Sequence, residues 1–203
     1  SQSKEELHNK AVGWYQKQTD NSSVAMELIY HLISSSRHED AVEIVTERGR
    51  DLVKEGHIEL LHLLAAIELE SIKPEDACKI DRLRGEVLSL LGRFDEAEEA
   101  FNNAKPLAEK AGLDDIIADI LSNLADIALK RGDSESSIEM HSKALELFIS
   151  MNNALVAARS YNNMGYILRR KGEKDKALEA YSEVESILSS NDSPDLIPAQ
   201  IVL

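Results

Sequence analysis

At 203 residues, with 43% hydrophobic and 30% charged side chains, the chain has the composition of an ordinary globular protein and is neither disordered nor fibrous. Its 37 acidic against 23 basic residues leave a net charge of -14, which repels a nucleic-acid backbone, and no apolar run approaches the roughly 20 residues that span a bilayer. The single cysteine, Cys78, excludes an internal disulfide framework and, with no Cys/His cluster beside it, a thiolate metal site; a reducing, cytoplasmic location is expected.

Few aromatics, 9 glycines and 4 prolines among abundant Ala, Leu, Ile, Glu and Lys predict an all-α fold. In chain order the apolar periodicity and helix-start signals predict helices near 4–19, 23–36, 38–55, 58–70, 75–91, 94–111, 114–131, 134–151, 154–171 and 174–189, with the start of another after Ser193. In the first helix Leu7, Ala11, Trp14 and Tyr15 share one face. Arg37-His38-Glu39-Asp40-Ala41-Val42 reads as a repeat turn without its glycine. Further on, Pro74 with Glu75 and Asp76, Asp95 with Glu96, and Asp114 with Asp115 mark helix starts, where acidic groups meet the positive end of the helix dipole. Pro106, inside an otherwise helical run, is expected to kink its helix.

From about residue 75 a period of 40 emerges: Gly92, Gly132 and Gly172 each follow a long apolar helix, at a place that favours a left-handed backbone. Seven residues before them stand the small residues Gly85, Ala125 and Gly165, and five after them Ala97, Ser137 and Ala177. Nine after them come Phe101, His141 and Tyr181, rings that fill the space between helices. The substitutions Ser137 and His141 predict looser packing in the middle repeat.

Tyr161-Asn162-Asn163-Met164-Gly165-Tyr166 through Gly172 to Ala177-Leu178-Glu179-Ala180-Tyr181, with Arg93-Phe94-Asp95-Glu96-Ala97 earlier, resembles the tetratricopeptide repeat, in a long-helix form of about 40 residues rather than the usual ~34. The resemblance implies a right-handed α-solenoid of antiparallel helix pairs. Residues 1–77 would form divergent helical repeats, 78–117, 118–157 and 158–191 three tetratricopeptide-like repeats, and 192–203 a tail or the start of a capping helix. The N-terminal segments Leu7-His8-Asn9-Lys10-Ala11, Trp14-Tyr15 and Glu27-Leu28-Ile29-Tyr30-His31-Leu32 look like the helical region of multidomain signalling ATPases of the maltose-regulator type. That likeness implies a sensor or partner-docking arm of a larger ATPase or transcriptional regulator, with a small ligand as one option.

No catalytic constellation is present. There is no phosphate loop and no His-Glu-x-x-His pair, and His57 and His62, five apart, fall on different sides of a helix. The reading is therefore of a non-enzyme, without cofactor or metal, that binds protein or peptide. In a stack of repeats the first helix of each lines a concave groove. That places Arg82 from the first repeat, Ser122, Asn123 and Asp126 from the second, and Arg159, Asn162, Asn163, Tyr166 and Arg170 from the third on the binding face. Asn123 and Asn163 stand 40 apart, where the resemblance implies amides that hold a peptide backbone. The last repeat is also locally basic, with 6 basic against 5 acidic residues over 158–191. The apolar run Ile197–Leu203 is expected to dock on a neighbouring molecule or fold back as a cap, and a chain opening on Ser1 is expected to be part of something longer.

Overall fold

The computed structural model describes residues 3–18 and 21–190. Its α-helices are α1 (Lys4–Tyr15), α2 (Ser22–Ser34), α3 (His38–Lys54), α4 (Leu60–Ala65), α5 (Pro74–Leu90), α6 (Phe94–Ala111), α7 (Asp114–Lys130), α8 (Ser134–Ser150), α9 (Ala154–Arg170) and α10 (Lys174–Ser190). A single 3-10 turn, Leu69–Ser71, precedes α5, and the described residues contain no strand. The all-α architecture of paired helices is the one the sequence implies. Both expectations on the C-terminal tail, the helix start after Ser193 and the docking of Ile197–Leu203, lie outside the described residues.

Two expected helices are shorter than their periodicity suggests. The first ends at Tyr15, because Lys17 and Gln18 donate their backbone N–H groups to Trp14 and Tyr15 three residues back, which tightens the chain out of the helix. The run expected at 58–70 is only α4 plus the 3-10 turn. There the Arg84 guanidinium of α5 donates to the carbonyl oxygens of Leu64, at 2.6 Å, and Ile67, at 3.3 Å, so a side chain joins the short backbone bond from Ile67 to Leu64 in satisfying the end of α4. The helix around Pro106, by contrast, runs on to Ala111.

The turns follow one design. Ser36, Gly56, Gly92, Gly132, Asn152 and Gly172 all have positive φ, and in each case the next residue donates its N–H to the carbonyl five positions earlier: Arg37 to Leu32, His57 to Leu52, Arg93 to Leu88, Asp133 to Ala128, Asn153 to Phe148 and Glu173 to Leu168. This is the left-handed closure that satisfies the last carbonyls of a helix. The suspected degenerate turn before Ala41 is one of these, with Ser36 in the glycine position.

The chain divides into two compact units, Ser1–Gly112 and Leu113–Leu203. In the first, α2 to α5 close over Ile29, Val45, Leu52, Leu60, Leu64, Ile80, Leu83 and Val87. Gly49 makes room for this core: a Cβ there would lie 2.5 Å from a methyl of Leu83. A smaller cluster of Val12, Leu28, Leu32 and Ala41 ties α1 to it. The hairpin of α5 and α6 packs through Gly85, whose missing side chain leaves space for the fully buried ring of Phe101.

The second unit repeats that hairpin twice. In α9 and α10 the ring of Tyr181 lies over Gly165 as Phe101 lies over Gly85. In α7 and α8 the small position is Ala125 and the ring is His141, both fully buried, as is Ser137. The looser packing expected of this repeat is therefore not visible as exposure. A methyl on the small side is matched by a five-membered ring on the large side, and the mismatch emerges as polarity instead. Neither nitrogen of His141 has a hydrogen-bond partner, nor do the hydroxyls of Ser122 and Ser137. Around this hairpin Ala118, Leu121, Ala144, Leu145, Phe148 and Ala157 form the core that joins α7, α8 and α9.

Candidate functional site

The first helix of each pair carries the expected binding residues, and their environments differ. Arg82, in the first unit, is 7% exposed and is ion-paired with Glu86 one turn on. On α7, Ser122 is likewise 7% exposed, with its hydroxyl unsatisfied. These two side chains are closed off from solvent, because they sit on the edges of their helix faces that turn toward the packed interior. Asn123 is half-buried and its amide donates to the Asp119 carbonyl of its own helix at 2.9 Å. Asp126 is exposed, and one carboxylate oxygen stands 3.4 Å from Nε2 of buried His141 without hydrogen-bond geometry. On α7, then, polar groups are directed mainly to their own hairpin.

The face of α9 is different. Leu155, Arg159, Asn162, Tyr166 and Arg170 follow helical spacing along one side, with Asn163 flanking them. The opposite side buries Ala157, Ser160, Ile167 and Leu168. Leu155 is 51% and Tyr166 41% exposed, Arg159 and Arg170 are exposed, and the two asparagines are half-buried. Among the described residues Arg159, Asn162 and Asn163 have no side-chain hydrogen bond or ion pair, so Asn163 does not repeat the inward bond of Asn123. Arg170 is ordered by Tyr166: a guanidinium nitrogen lies 3.4 Å from the phenol oxygen, and its carbon 5.8 Å from the ring centre. Lys171, by comparison, reaches Glu135 at 3.6 Å and Glu173 at 3.5 Å.

A second concentration of polar and aromatic groups lies in the first unit, where the sequence offered only an apolar stripe. His8 of α1 and His31 of α2 meet Nδ1 to Nδ1 at 2.7 Å, a hydrogen bond in which the tautomers decide which ring donates. Tyr15 stacks on His31 with ring centres 5.5 Å apart, Tyr30 meets both imidazoles edge-on, and Trp14 packs against Tyr15. Burial first, and then His8, hold the His31 imidazole below the usual histidine range, against the opposing pull of Glu27. The periodicity of α1 points to Trp14 and Tyr15; nothing local pairs His8 with a residue 23 positions away.

Cys78 is buried, with its thiol donating to the Glu75 carbonyl at 3.1 Å, and burial raises its pKa. Among the described residues no cluster of three or more His, Cys, Asp or Glu side chains could hold a metal ion, and no helix is long and apolar enough to cross a membrane.

The family model of the tetratricopeptide repeat matches residues 76–150 and again 116–190. A search of the curated proteins finds no match. Among solved structures, aspartyl phosphate phosphatase F from Bacillus subtilis superposes with a TM-score of 0.71 at 14% identity; the match covers 83% of this chain but 45% of that one. MamA protein gives a TM-score of 0.64 at 14% identity over 95% of this chain and 96% of its own. A Podosopora anserina putative kinesin light chain with nearly identical TPR-like repeats gives 0.54 at 14% identity, over 93% and 88%. At these identities the likeness is one of fold. The chain thus spans less than half the length of the phosphatase and nearly all of MamA.

Proposed function

The chain belongs to the tetratricopeptide-repeat family, a scaffold for contacts between proteins, and on that premise we propose that it is a non-catalytic peptide-binding module whose working surface is the outward face of α9. The observation that carries this reading is the row of side chains there whose polar groups are not spent inside the protein. Two amides, each able to donate and accept, flank Tyr166 on a rigid helix. An extended peptide laid on this face would exchange backbone hydrogen bonds with Asn162 and Asn163 and cover Tyr166. The buried Arg82 and Ser122 have no part in it, and Asn123 and Asp126 are left with supporting roles on α7.

The test is a peptide array probed with the full chain and with Asn162→Ala/Asn163→Ala and Tyr166→Ala variants, each first shown to keep its helix content. Binding that weakens in the variants supports the reading. Binding that is undiminished in both places the surface elsewhere and overturns it.

The likeness to aspartyl phosphate phosphatase F, a longer chain of which the match covers 45%, favours a second reading: a partner-docking or sensor arm of a larger cytoplasmic signalling protein. A phosphate-loop ATPase domain encoded in the same reading frame would support it, and a full-length gene without one would end the ATPase version.

A further inference from the structure

The α9 helix differs from its neighbours in charge. Its 17 residues, ALVAARSYNNMGYILRR, include three arginines and no carboxylate, whereas every other described helix of more than six residues has at least one Asp or Glu. In a protein of net charge -14 this is a local reversal of sign. Two of these arginines, Arg159 and Arg170, are also committed differently from several other surface cations. Arg37, Arg93, Lys105, Lys143 and Lys176 are each neutralised by a carboxylate three or four residues away on the chain. Arg159 has no such partner among the described residues, and Arg170 is held by a phenol rather than by an acid.

We infer that the partner of this face is an acidic extended segment, with Asp or Glu side chains paired to Arg159 at one end and Arg170 at the other; the inference rests on the peptide-binding reading of α9 and names the class of peptide. The two arginines are 11 residues apart, about 16 Å along the helix at ~1.5 Å per residue, and an extended strand covers that distance in about five residues at ~3.3 Å each. Two carboxylates some five positions apart would meet both guanidiniums. The segment between them would run past Asn162 and Tyr166, and a small or apolar residue at its far end would meet exposed Leu155. Guanidinium forks favour planar carboxylates, and Tyr166 reduces the freedom that Arg170 would otherwise lose on binding. The recognised charges are those of side chains, so a free C-terminus is not required.

The test uses the full chain and fluorescent, C-terminally amidated peptides about ten residues long, followed by anisotropy and by amide chemical shifts. One series has acidic residues five apart in a neutral background, a second is wholly neutral, and a third has lysines in place of the acids; a single-stranded oligonucleotide is the fourth probe. The acidic series should bind best and weaken as salt is raised. Arg159→Glu or Arg170→Glu should each lower its affinity about tenfold, and the double reversal should transfer binding to the lysine series. Arg159→Gln and Arg170→Gln, which keep size and polarity, should give the same loss without that transfer. Equal binding of neutral and acidic peptides, lost in the Asn162/Asn163 variant, would overturn the charge assignment while leaving the peptide-binding face intact. Tighter arginine-dependent binding of the oligonucleotide would overturn it as well, and failure of every peptide series would overturn both readings.

Discussion

The ring of Phe101 occupies the space that a side chain at position 85 would need: a Cβ built on Gly85 falls 2.6 Å from a ring carbon. The ring is fully buried and cannot swing away. Overpacking of this kind costs about 1–3 kcal/mol, whereas alanine gains up to ~1 kcal/mol over glycine in helix propensity. Gly85→Ala should therefore lose about 1–2 kcal/mol net, read as a lower urea midpoint. Gly85→Ala/Phe101→His, which copies the middle repeat, should show a coupling of at least ~1 kcal/mol in a double-mutant cycle. An additive cycle would mean that the two positions do not meet.

The middle repeat offers the reverse experiment. His141 is buried with both nitrogens unsatisfied, a condition that costs about 1–3 kcal/mol. His141→Phe alone should gain little, because the larger ring meets the Ala125 methyl. Ala125→Gly/His141→Phe, which rebuilds the hairpin of α5 and α6, should stabilise the second unit by about 1–2 kcal/mol after glycine's helix penalty of ~1 kcal/mol. Thermal unfolding of the two variants beside the parent decides it.

The paired imidazoles make the first unit acid-sensitive. His31 has a depressed pKa, so below the ordinary histidine value of about 6.5 the unfolded chain takes up protons that the folded chain resists. The stabilising effect is present above that value and is lost as pH falls through the lower folded pKa. A second proton on the pair would also set N–H against N–H across the 2.7 Å contact, with Glu27 the carboxylate at hand to offset it. Trp14, the single tryptophan, packs on Tyr15 beside His31 and reports on the event. Its fluorescence should change as the pH is taken from neutral to about 5, and His8→Gln should flatten the response; an identical titration in the variant would count against the pair.

Ser36 holds a left-handed backbone, at φ of 59°, that other turns assign to glycine. That conformation costs an ordinary residue about 1–2 kcal/mol, and glycine gives back part of the difference through its more flexible unfolded chain. Ser36→Gly should raise stability by about 0.5–1 kcal/mol in urea titration. A decrease would show that Ser36 contributes more through its other contacts than its backbone costs.

Regularity decided what the sequence made legible. Glycines at 92, 132 and 172, with Gly85 and Gly165 answering Phe101 and Tyr181, are visible because glycine advertises its backbone. The alternate turns were not all so plain: Asn152 takes the same left-handed role, at φ of 54°, without looking like a turn signal among Met151-Asn152-Asn153. The break after α4 was hidden because it depends on Arg84, some 20 positions from Leu64, and no local pattern shows that contact. On the candidate face, periodicity placed Arg159, Asn162, Tyr166 and Arg170 on one side of α9. It also assigned Arg82 and Ser122 to a binding face, because spacing locates a residue on a helix but not how far its neighbours close over it.

The left-handed residues at 92, 112, 132, 152 and 172 stand 20 residues apart. Length in this part of the chain is therefore quantised. One residue added inside α9 would turn everything after it by about 100°, moving Tyr166 and Arg170 out of line with Arg159 and uncovering the ring of Tyr181. A whole helix pair added at a turn would leave each existing face as it is. Such a protein can change its reach only in complete steps, and within a step its recognition surface must evolve by substitution alone.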